Sequence, residues 1–573
     1  MRSRKTVLGA VWALCLVVCS PALAATGDEQ FKSDIEEFLN KLSVTTHGVL
    51  SWEGADSFDV RREGDAAVAT ISSARLTIHE ATESHLVFDH VEIRRTPTAG
   101  DPEAARFDIA FPTQSTLTLA DGTRTSLSLK EATASLVLEK AANRFRETLV
   151  SFAGARLEHP STGDWVNFGP LSFSSKLASA SDGSWSTPID FELKQVEFLL
   201  TEGPLGGAID RIAYNALSTG PDVAALNRMR DRMDELRQQG EQPPEARADA
   251  LLDLLSSMPA LFTLMKGEMA LEGLAVRTPA GEPVVGLAKA SIGGAVTGLS
   301  GDAAAWRITL RQNGLTLANS ILDASKVPET VTLDFGLENV ATGPLRTILE
   351  AIAKARKDAN GAESHQATAR MLGAAAMLNP VFRIYELALK TKDVGLAATG
   401  EAKGSPLSPK GYTAEADVVV RGFDALPGLL GDSPFAEYLP LIKELGTSAA
   451  GSDTKFHLAS TPQKWITING NDISAWFATS SDQPGQPRPL RPAHPPLQGE
   501  DVSAVQHALN AAKISAAQTG IYDGATAAAV ARFQKQSGLN VDGIVDAATR
   551  DKLGMKPLPQ PAPPSEVVKP PRR

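Results

Sequence analysis

Gly520-Ile521-Tyr522-Asp523-Gly524-Ala525-Thr526 is echoed 23 residues later by Gly543-Ile544-Val545-Asp546-Ala547-Ala548-Thr549. Both copies read G-I-x-D-x-A-T. Each puts a glycine turn before an aspartate and a threonine three residues after it, then enters an alanine-rich or charged run. Aspartate at that place caps a helix, because its carboxylate accepts the free amides of the first turn. The stretch therefore predicts two pseudo-equivalent turn-plus-helix units. Between the copies lie Ala529-Val530-Ala531-Arg532-Phe533-Gln534 and Ser537-Gly538-Leu539-Asn540-Val541-Asp542-Gly543. Ahead of them lies Val502-Ser503-Ala504-Val505-Gln506-His507-Ala508-Leu509-Asn510.

Taken together, three motifs make this segment resemble the three-helix peptidoglycan-binding domain appended to many bacterial wall hydrolases and envelope proteins. They are Val505-Gln506-x-x-Leu509-Asn510, Ala529-Val530-x-x-Phe533-Gln534, and Gly538-Leu539-x-Val541-Asp542-Gly543 with Thr549 after it. The pattern departs at Thr519, where the family usually has an aspartate before the glycine, and at Lys513, where a glycine is usual. The resemblance covers about a tenth of the chain. It implies a small all-α domain over 497–555, with peptidoglycan as its ligand. Leu509, Val530, Phe533, Leu539, Val541 and Leu553 are the expected core; three short helices offer little apolar area, so each matters. Gln506, Tyr522, Arg532 and Gln534 are the candidate peptidoglycan contacts, being polar or amphipathic groups beside the turns. The competing reading is that they bond turns and helix ends within the domain.

The N-terminus reads as a secretory signal over 1–24. Arg2, Arg4 and Lys5 form a basic start, Val7 to Val18 an apolar run, and Ala22-Leu23-Ala24 a small-residue cleavage site. Cleavage is expected before Ala25. The apolar run is shorter than the ~20 residues a spanning helix needs. Cys19 follows Val18, where a lipoprotein signal would have a small residue. Both cysteines, Cys15 and Cys19, fall inside the signal. The expected mature chain therefore has no disulfide, thiolate nucleophile or cysteine metal site. Loss of three basic and no acidic residues takes its formal charge from −11 to −14. Such a chain repels nucleic acid and anionic lipid surfaces. The periplasm is the expected location.

Pro484, Pro487, Pro489, Pro492, Pro495 and Pro496 crowd the stretch before the domain. They predict an extended spacer over 483–496, on the order of 40 Å long at ~3.1 Å per residue. The proline-rich tail over 556–573 is expected to be disordered. The body, 25–482, reads as strand-rich. Leu117 and Leu119 alternate with polar residues, Asp121-Gly122 turns the chain, and Leu127 and Leu129 alternate again, which is a hairpin signal. Leu86, Phe88, Val91, Ile93, Leu136, Leu138, Phe191 and Leu193 extend the pattern to a sheet with one wet side.

Two helical hairpins are expected to interrupt the strands. Val223, Leu226, Met229, Met233 and Leu236 mark one helix, and Leu251 to Met258 its partner. Leu345, Ile348, Leu349 and Ile352 mark the next, with Met371, Leu372, Leu378, Phe382 and Tyr385 on its partner. The order strand, Gly-Pro-Leu, helix pair, Gly-Leu-Ala recurs over about 187–275 and 329–397, suggesting duplication. The texture loosely resembles uncharacterised AsmA-like periplasmic proteins. The expected fold class is α+β: a large strand-rich body with two helical-hairpin insertions and a three-helix C-terminal domain.

Chemistry is sparse. The body has no G-x-S-x-G, H-E-x-x-H, phosphate loop or G-x-G-x-x-G. His79, His85 and His90 are the densest histidine group, and nothing in the sequence orients them as a metal shell requires. Carboxylates such as Glu36 with Glu37, and Asp231 with Asp234 and Glu235, sit among other charges rather than in the apolar setting a wall-cleaving acid needs. No catalytic residue, metal site or cofactor is assigned. The expected function is non-enzymatic: an envelope protein tethered to peptidoglycan. The alternatives are a carrier or scaffold for a lipid or other apolar envelope component, with that lipid or an envelope protein as partner, and a wall-modifying hydrolase.

Overall fold

The computed structural model describes residues 50–555, apart from 54–57, 80–82, 119–121, 140–143, 202–204, 239–260, 358–363, 449–452, 478–489, 492–495 and a few single positions. The signal, the tail, most of the proline spacer and the second helix of the first pair lie outside the described residues. The chain divides into two compact units, 1–380 and 381–573.

The first unit opens with antiparallel strands of mixed length: β1 (Leu50–Glu53), β2 (Phe58–Glu63), β3 (Ala66–His79), β4 (Glu83–Thr98), β5 (Asp101–Ala110), β6 (Gln114–Thr118), β7 (Arg124–Lys130), β8 (Thr133–Glu139), β9 (Arg144–Phe152), β10 (Gly154–Glu158), β11 (Trp165–Phe168), β12 (Leu171–Lys176) and β13 (Ala178–Ser179). Strand β4 pairs with β6 along one half and with β5 along the other. One leaf then runs β5-β8-β9-β12 and the other β6-β7-β10-β11. Both leaves rejoin on β14 (Trp185–Leu200). Leu136, Val150 and Phe173 of one leaf share a core with Leu117, Leu127, Leu129 and Leu157 of the other. The alternation legible in the sequence is the inward face of these leaves, and the hairpin expected at Asp121-Gly122 joins β6 to β7.

From β14 onward the strands are long and form a plain meander: β15 (Leu205–Gly220), β16 (Leu264–Arg277), β17 (Pro283–Thr297), β18 (Ala303–Leu317) and β19 (Thr330–Ala341). One face carries a charge ladder. Glu192 meets Lys194 at 2.8 Å and Arg211 at 2.7 Å, Arg211 meets Glu272 at 3.4 Å, and Glu272 meets Lys289 at 2.7 Å. On β18 and β19, Arg307 grips Asp334 through two bonds of 2.7 and 2.8 Å. That guanidinium holds the Asp334 carboxyl below the usual carboxylate range. On the opposite face, Tyr214, Met269, Ile292 and Leu310 are successive register partners, all exposed, from 37% at Leu310 to 49% at Ile292.

A row of left-handed residues crosses this meander at one level. Gln195 (φ 52°), Gly273 (φ 68°) and Gly314 (φ 67°) sit in alternate strands. A Cβ on Gly273 would fall 2.0 Å from Asp210 Oδ2, so that position excludes any side chain.

Helix α1 (Val223–Gln238) follows β15, and α2 (Thr342–Lys357) and α3 (Ser364–Ala376) follow β19. Two details differ from the sequence reading. The partner helix expected to include Leu378, Phe382 and Tyr385 ends at Ala376. Asn379 is left-handed (φ 44°) and Pro380 bars a helix across the residue before it, so Phe382 and Tyr385 begin a strand. The two Gly-Pro-Leu segments are also not equivalent. Leu205 opens the 16-residue strand β15, whereas Gly343-Pro344-Leu345 lies in the first turn of α2. A proline at a helix start costs nothing, because the amide it lacks has no helical partner there. Leu205 and Leu345 thus lie in different kinds of element.

The second unit begins with β20 (Val381–Lys390), β21 (Gly395–Gly404) and β22 (Tyr412–Arg421). Short helices α4 (Leu426–Leu430) and α5 (Leu439–Leu445) follow, then β23 (Thr447–Ser448), β24 (Asp453–Ser460), β25 (Thr467–Ile468) and β26 (Asn471–Asp472). The last part comprises β27 (Leu497–Gln498), α6 (Glu500–Ala511), β28 (Ile521–Tyr522), α7 (Gly524–Ser537) and α8 (Ala547–Lys552). The three expected helices are present. Of their expected core, Leu509, Val530, Phe533 and Val541 are buried, and Leu539 and Leu553 are half-buried.

This core does not stop at the three helices. Val420, Phe423, Leu441, Leu445 and Phe456 belong to the same apolar cluster as Val505, Leu509, Val530 and Phe533. Leu490, inside the expected spacer, is fully buried and bridges Val545. The three helices are therefore packed on the end of the sheet. Apolar side chains on both partners remove more area from water together than the small domain could alone.

Candidate functional site

Two glutamines organise the three-helix segment. Gln506 on α6 is fully buried. Its Nε2 lies 3.1 Å from each of Thr519 Oγ1, the Ile521 carbonyl and Thr526 Oγ1, and its Oε1 accepts the Gly520 N–H at 2.9 Å. Gln534 on α7, 1% exposed, repeats the arrangement one unit later. Its Nε2 lies 2.7 Å from Asp542 Oδ1, 2.9 Å from the Ile544 carbonyl and 3.2 Å from Thr549 Oγ1. Its Oε1 accepts the Asp542 and Gly543 N–H groups at 3.1 and 2.8 Å. Each glutamine thus clasps the G-I-x-D-x-A-T loop that follows it. Asp523 and Asp546 then cap α7 and α8 by accepting the Thr526 and Thr549 N–H groups at 2.8 and 2.7 Å.

The two departures from the family pattern have local explanations. Thr519 occupies the place of Asp542. Its hydroxyl accepts the Ile521 N–H at 3.2 Å, as Asp542 accepts that of Ile544 at 2.8 Å. The hydroxyl supplies the acceptor without the charge. Lys513 is left-handed (φ 62°), matching Gly538 (φ 67°) at the end of the next helix. After each, an amide reaches back five residues: Ile514 to the Leu509 carbonyl and Leu539 to the Gln534 carbonyl, both at 2.9 Å. This is the Schellman closure, which needs a left-handed residue at that point.

Three of the four candidate contacts are corrected by these positions. Gln506, Gln534 and Tyr522 are buried, and a ligand outside cannot reach them. Their polar atoms are spent on the loops: the Tyr522 hydroxyl donates to the Gly543 carbonyl at 2.7 Å, joining the first copy to the second. Burial pushes the Tyr522 phenol well above its ordinary range. Arg532 alone of the four is half-exposed. Its guanidinium spans from the Ser515 carbonyl at 3.4 Å to Glu444 Oε1 at 3.6 Å. The local-bonding reading therefore holds for the glutamines, because a buried amide must find partners inside the fold.

The outer edge of the second loop is occupied by the sheet that precedes it. Asn540 Oδ1 accepts the Asp472 N–H at 2.7 Å, and its Nδ2 donates to the Asp472 carbonyl at 2.8 Å. The Val541 N–H donates to Asn471 Oδ1 at 3.2 Å, and the Trp476 indole donates to the Asp542 carbonyl at 2.8 Å. Behind this edge, Gly543 packs on Leu441 and Gly524 on the Glu437 carbonyl; an added Cβ would lie 2.6 and 1.6 Å from them. Asp542 is enclosed by these contacts. Burial pushes its carboxyl above the ordinary range against the bonds from Ile544, Gln534 and Asn540 that favour the charge. Sequence reasoning gave Asn471, Asp472 and Asn540 no role and Trp476 only that of a sugar platform or half-buried anchor, because their partners lie 66 to 70 positions away.

Elsewhere, His85 bonds Thr77 across β3 and β4 at 3.0 Å, and His90 on β4 is exposed. The side chain of His79 lies outside the described residues. Trp185 packs edge-on against Phe262, and Arg156 covers Trp165.

Residues 498–553 match the family model described as a putative peptidoglycan binding domain. Comparison with curated proteins and with solved structures found no match to the chain. No finding supports the loose likeness of the body to AsmA-like proteins.

Proposed function

We propose that this chain is an exported, non-enzymatic envelope protein held to peptidoglycan by residues 497–555, with the periplasm as its place of action. The observation that carries the reading is the pair of glutamine-clasped loops within the matched segment 498–553. The loops keep the family's scaffold even where Thr519 and Lys513 depart from its pattern. The signal-like start over 1–24 supports export. The body acts as a scaffold carried by the wall module, and no residue is assigned a catalytic role.

Co-sedimentation of the purified full chain with purified sacculi tests this reading. The protein should pellet with the sacculi and release no soluble muropeptide. Failure to pellet would remove the wall-binding reading, and muropeptide release abolished by one carboxylate substitution would replace it with the hydrolase. N-terminal sequencing of the exported protein should begin at Ala25.

One observation favours the carrier as a second reading. Tyr214, Met269, Ile292 and Leu310 form an exposed apolar row across four strands of the first unit. A contiguous apolar row left in water on one sheet face suits an apolar ligand or partner. Binding of an alkyl fluorescent probe that Ile292→Glu abolishes would promote this reading; no probe binding would dismiss it.

A further inference from the structure

The two clasped loops are built alike, yet their outer edges meet different surroundings. The edge Asn540-Val541-Asp542 holds a stretch of the chain itself, the Asp472 main chain with the Asn471 and Trp476 side chains. Counting back 23 residues from the shared Gly-Ile, the equivalent edge of the first loop is Ala517-Gln518-Thr519. All three residues are exposed. We propose that this open edge is the peptidoglycan contact, and that it takes the stem peptide rather than the sugar. The proposal rests on the wall-binding reading above.

The chemistry of the occupied edge supports the peptide. What it grips is a main chain: one residue's N–H and carbonyl, a neighbouring side-chain amide, and one N–H donor. The Asn540 side chain holds the N–H and carbonyl, while the Val541 N–H and the Asp542 carbonyl, on the loop that Gln534 clasps, take the amide oxygen of Asn471 and the indole N–H of Trp476. Gln506 sets the first loop through the same bonds to Gly520, Ile521 and Thr526. Gln518 and Thr519 therefore stand where Val541 and Asp542 stand, presenting an amide and a carbonyl to a passing peptide. Ala517 stands in place of Asn540, so the first loop lacks that side-chain grip and offers open space with the backbone donor and acceptor alone. The Gln518 amide also pairs with His507 at 3.1 Å, and the exposed Lys513 lies in the same loop. Stem peptides carry free carboxylates, and a cation beside a peptide-reading edge suits them.

The test uses the full chain and intact sacculi. Ala517→Trp blocks the edge from outside the core, and Gln518→Glu adds a negative charge with little change in volume. Lys552→Trp, on exposed α8, is the control. Folding of each is checked by circular dichroism and thermal melting. Wild type and Lys552→Trp should pellet alike, and both edge variants should bind at least about tenfold more weakly. Sacculi stripped of stem peptides by an amidase should lose the wild-type protein to a similar degree. Folded edge variants that pellet as wild type would place the contact elsewhere. Undiminished binding to stripped sacculi would make the ligand the glycan. Wild type that fails to bind intact sacculi would instead sink the wall-binding reading itself.

Discussion

Asn540 grips the main chain of Asp472 from both sides, accepting its N–H at 2.7 Å and donating to its carbonyl at 2.8 Å. The two residues are 68 positions apart, and the contact fastens the second loop to the sheet. Removing one such bond while water can replace it costs about 1 kcal/mol. Trp476→Phe, which deletes the donor to the Asp542 carbonyl, should lower stability by about that amount, and Asn540→Ala, which removes both bonds to Asp472, by about 2 kcal/mol. Denaturant midpoints of the full chain check it, and wall binding should be unchanged.

Gly524→Ala offers a test of sign. Alanine in a helix is favoured over glycine by about 1 kcal/mol. Here the new methyl would fall 1.6 Å from the Glu437 carbonyl oxygen. Overpacking of this kind costs about 1–3 kcal/mol, so the substitution should destabilise the full chain. A raised melting temperature would show that α7 is not seated on residues 437–441.

Gln534→Ala should be the more damaging of the two glutamine substitutions. It leaves the buried Gly543 and Asp542 amides without their acceptor. Orphaned buried groups cost about 1–3 kcal/mol each, so a loss on the order of 3 kcal/mol or more is expected. Gln506→Ala should cost less, because Thr519 and Ile521 in the first loop are more open to water. Chemical unfolding followed by far-ultraviolet circular dichroism separates them.

Asp542 gives stability a pH dependence of definite sign. Its carboxyl is raised in the fold by burial, so the folded state keeps its proton to higher pH than the unfolded chain does. Its contribution is complete below the unfolded value near ~3.9 and is lost as pH rises through the folded value. Asp542→Asn cannot lose this contribution, and the amide keeps an acceptor for Gln534. Relative to that variant, wild type should melt progressively lower as pH rises above about 4. Parallel melting curves at every pH would refute the raised carboxyl.

Lys513→Gly should stabilise the protein. Lys513 is left-handed (φ 62°) and exposed, so its side chain gives up strain rather than packing when removed. Left-handed backbone costs a non-glycine residue roughly 1 kcal/mol, and glycine's extra freedom in the unfolded chain returns part of that. A net gain of a few tenths to about 1 kcal/mol is expected by thermal melting.

Sequence alone determined those features whose causes lie within one turn or one strand. The repeated G-I-x-D-x-A-T fixed two caps and two glycine turns, because Asp523 and Asp546 reach amides only three residues away. Alternation around Leu117 and Leu127 fixed strands and a hairpin, because a pleat repeats every two residues. The tertiary structure decided everything that depends on who the distant neighbour is. Gln506 and Gln534 read as surface contacts until the fold closed around them and committed every polar atom to a loop. Gly-Pro-Leu read as one recurring turn, yet Leu205 opens a strand while Leu345 lies in the first turn of a helix, since the surroundings choose the continuation. The prolines before Leu497 read as a spacer, while Leu490, Leu441 and Trp476 join the three helices to the sheet. A local pattern specifies local hydrogen bonds; burial and pairing across 60 or more residues are settled only when the whole unit has excluded water.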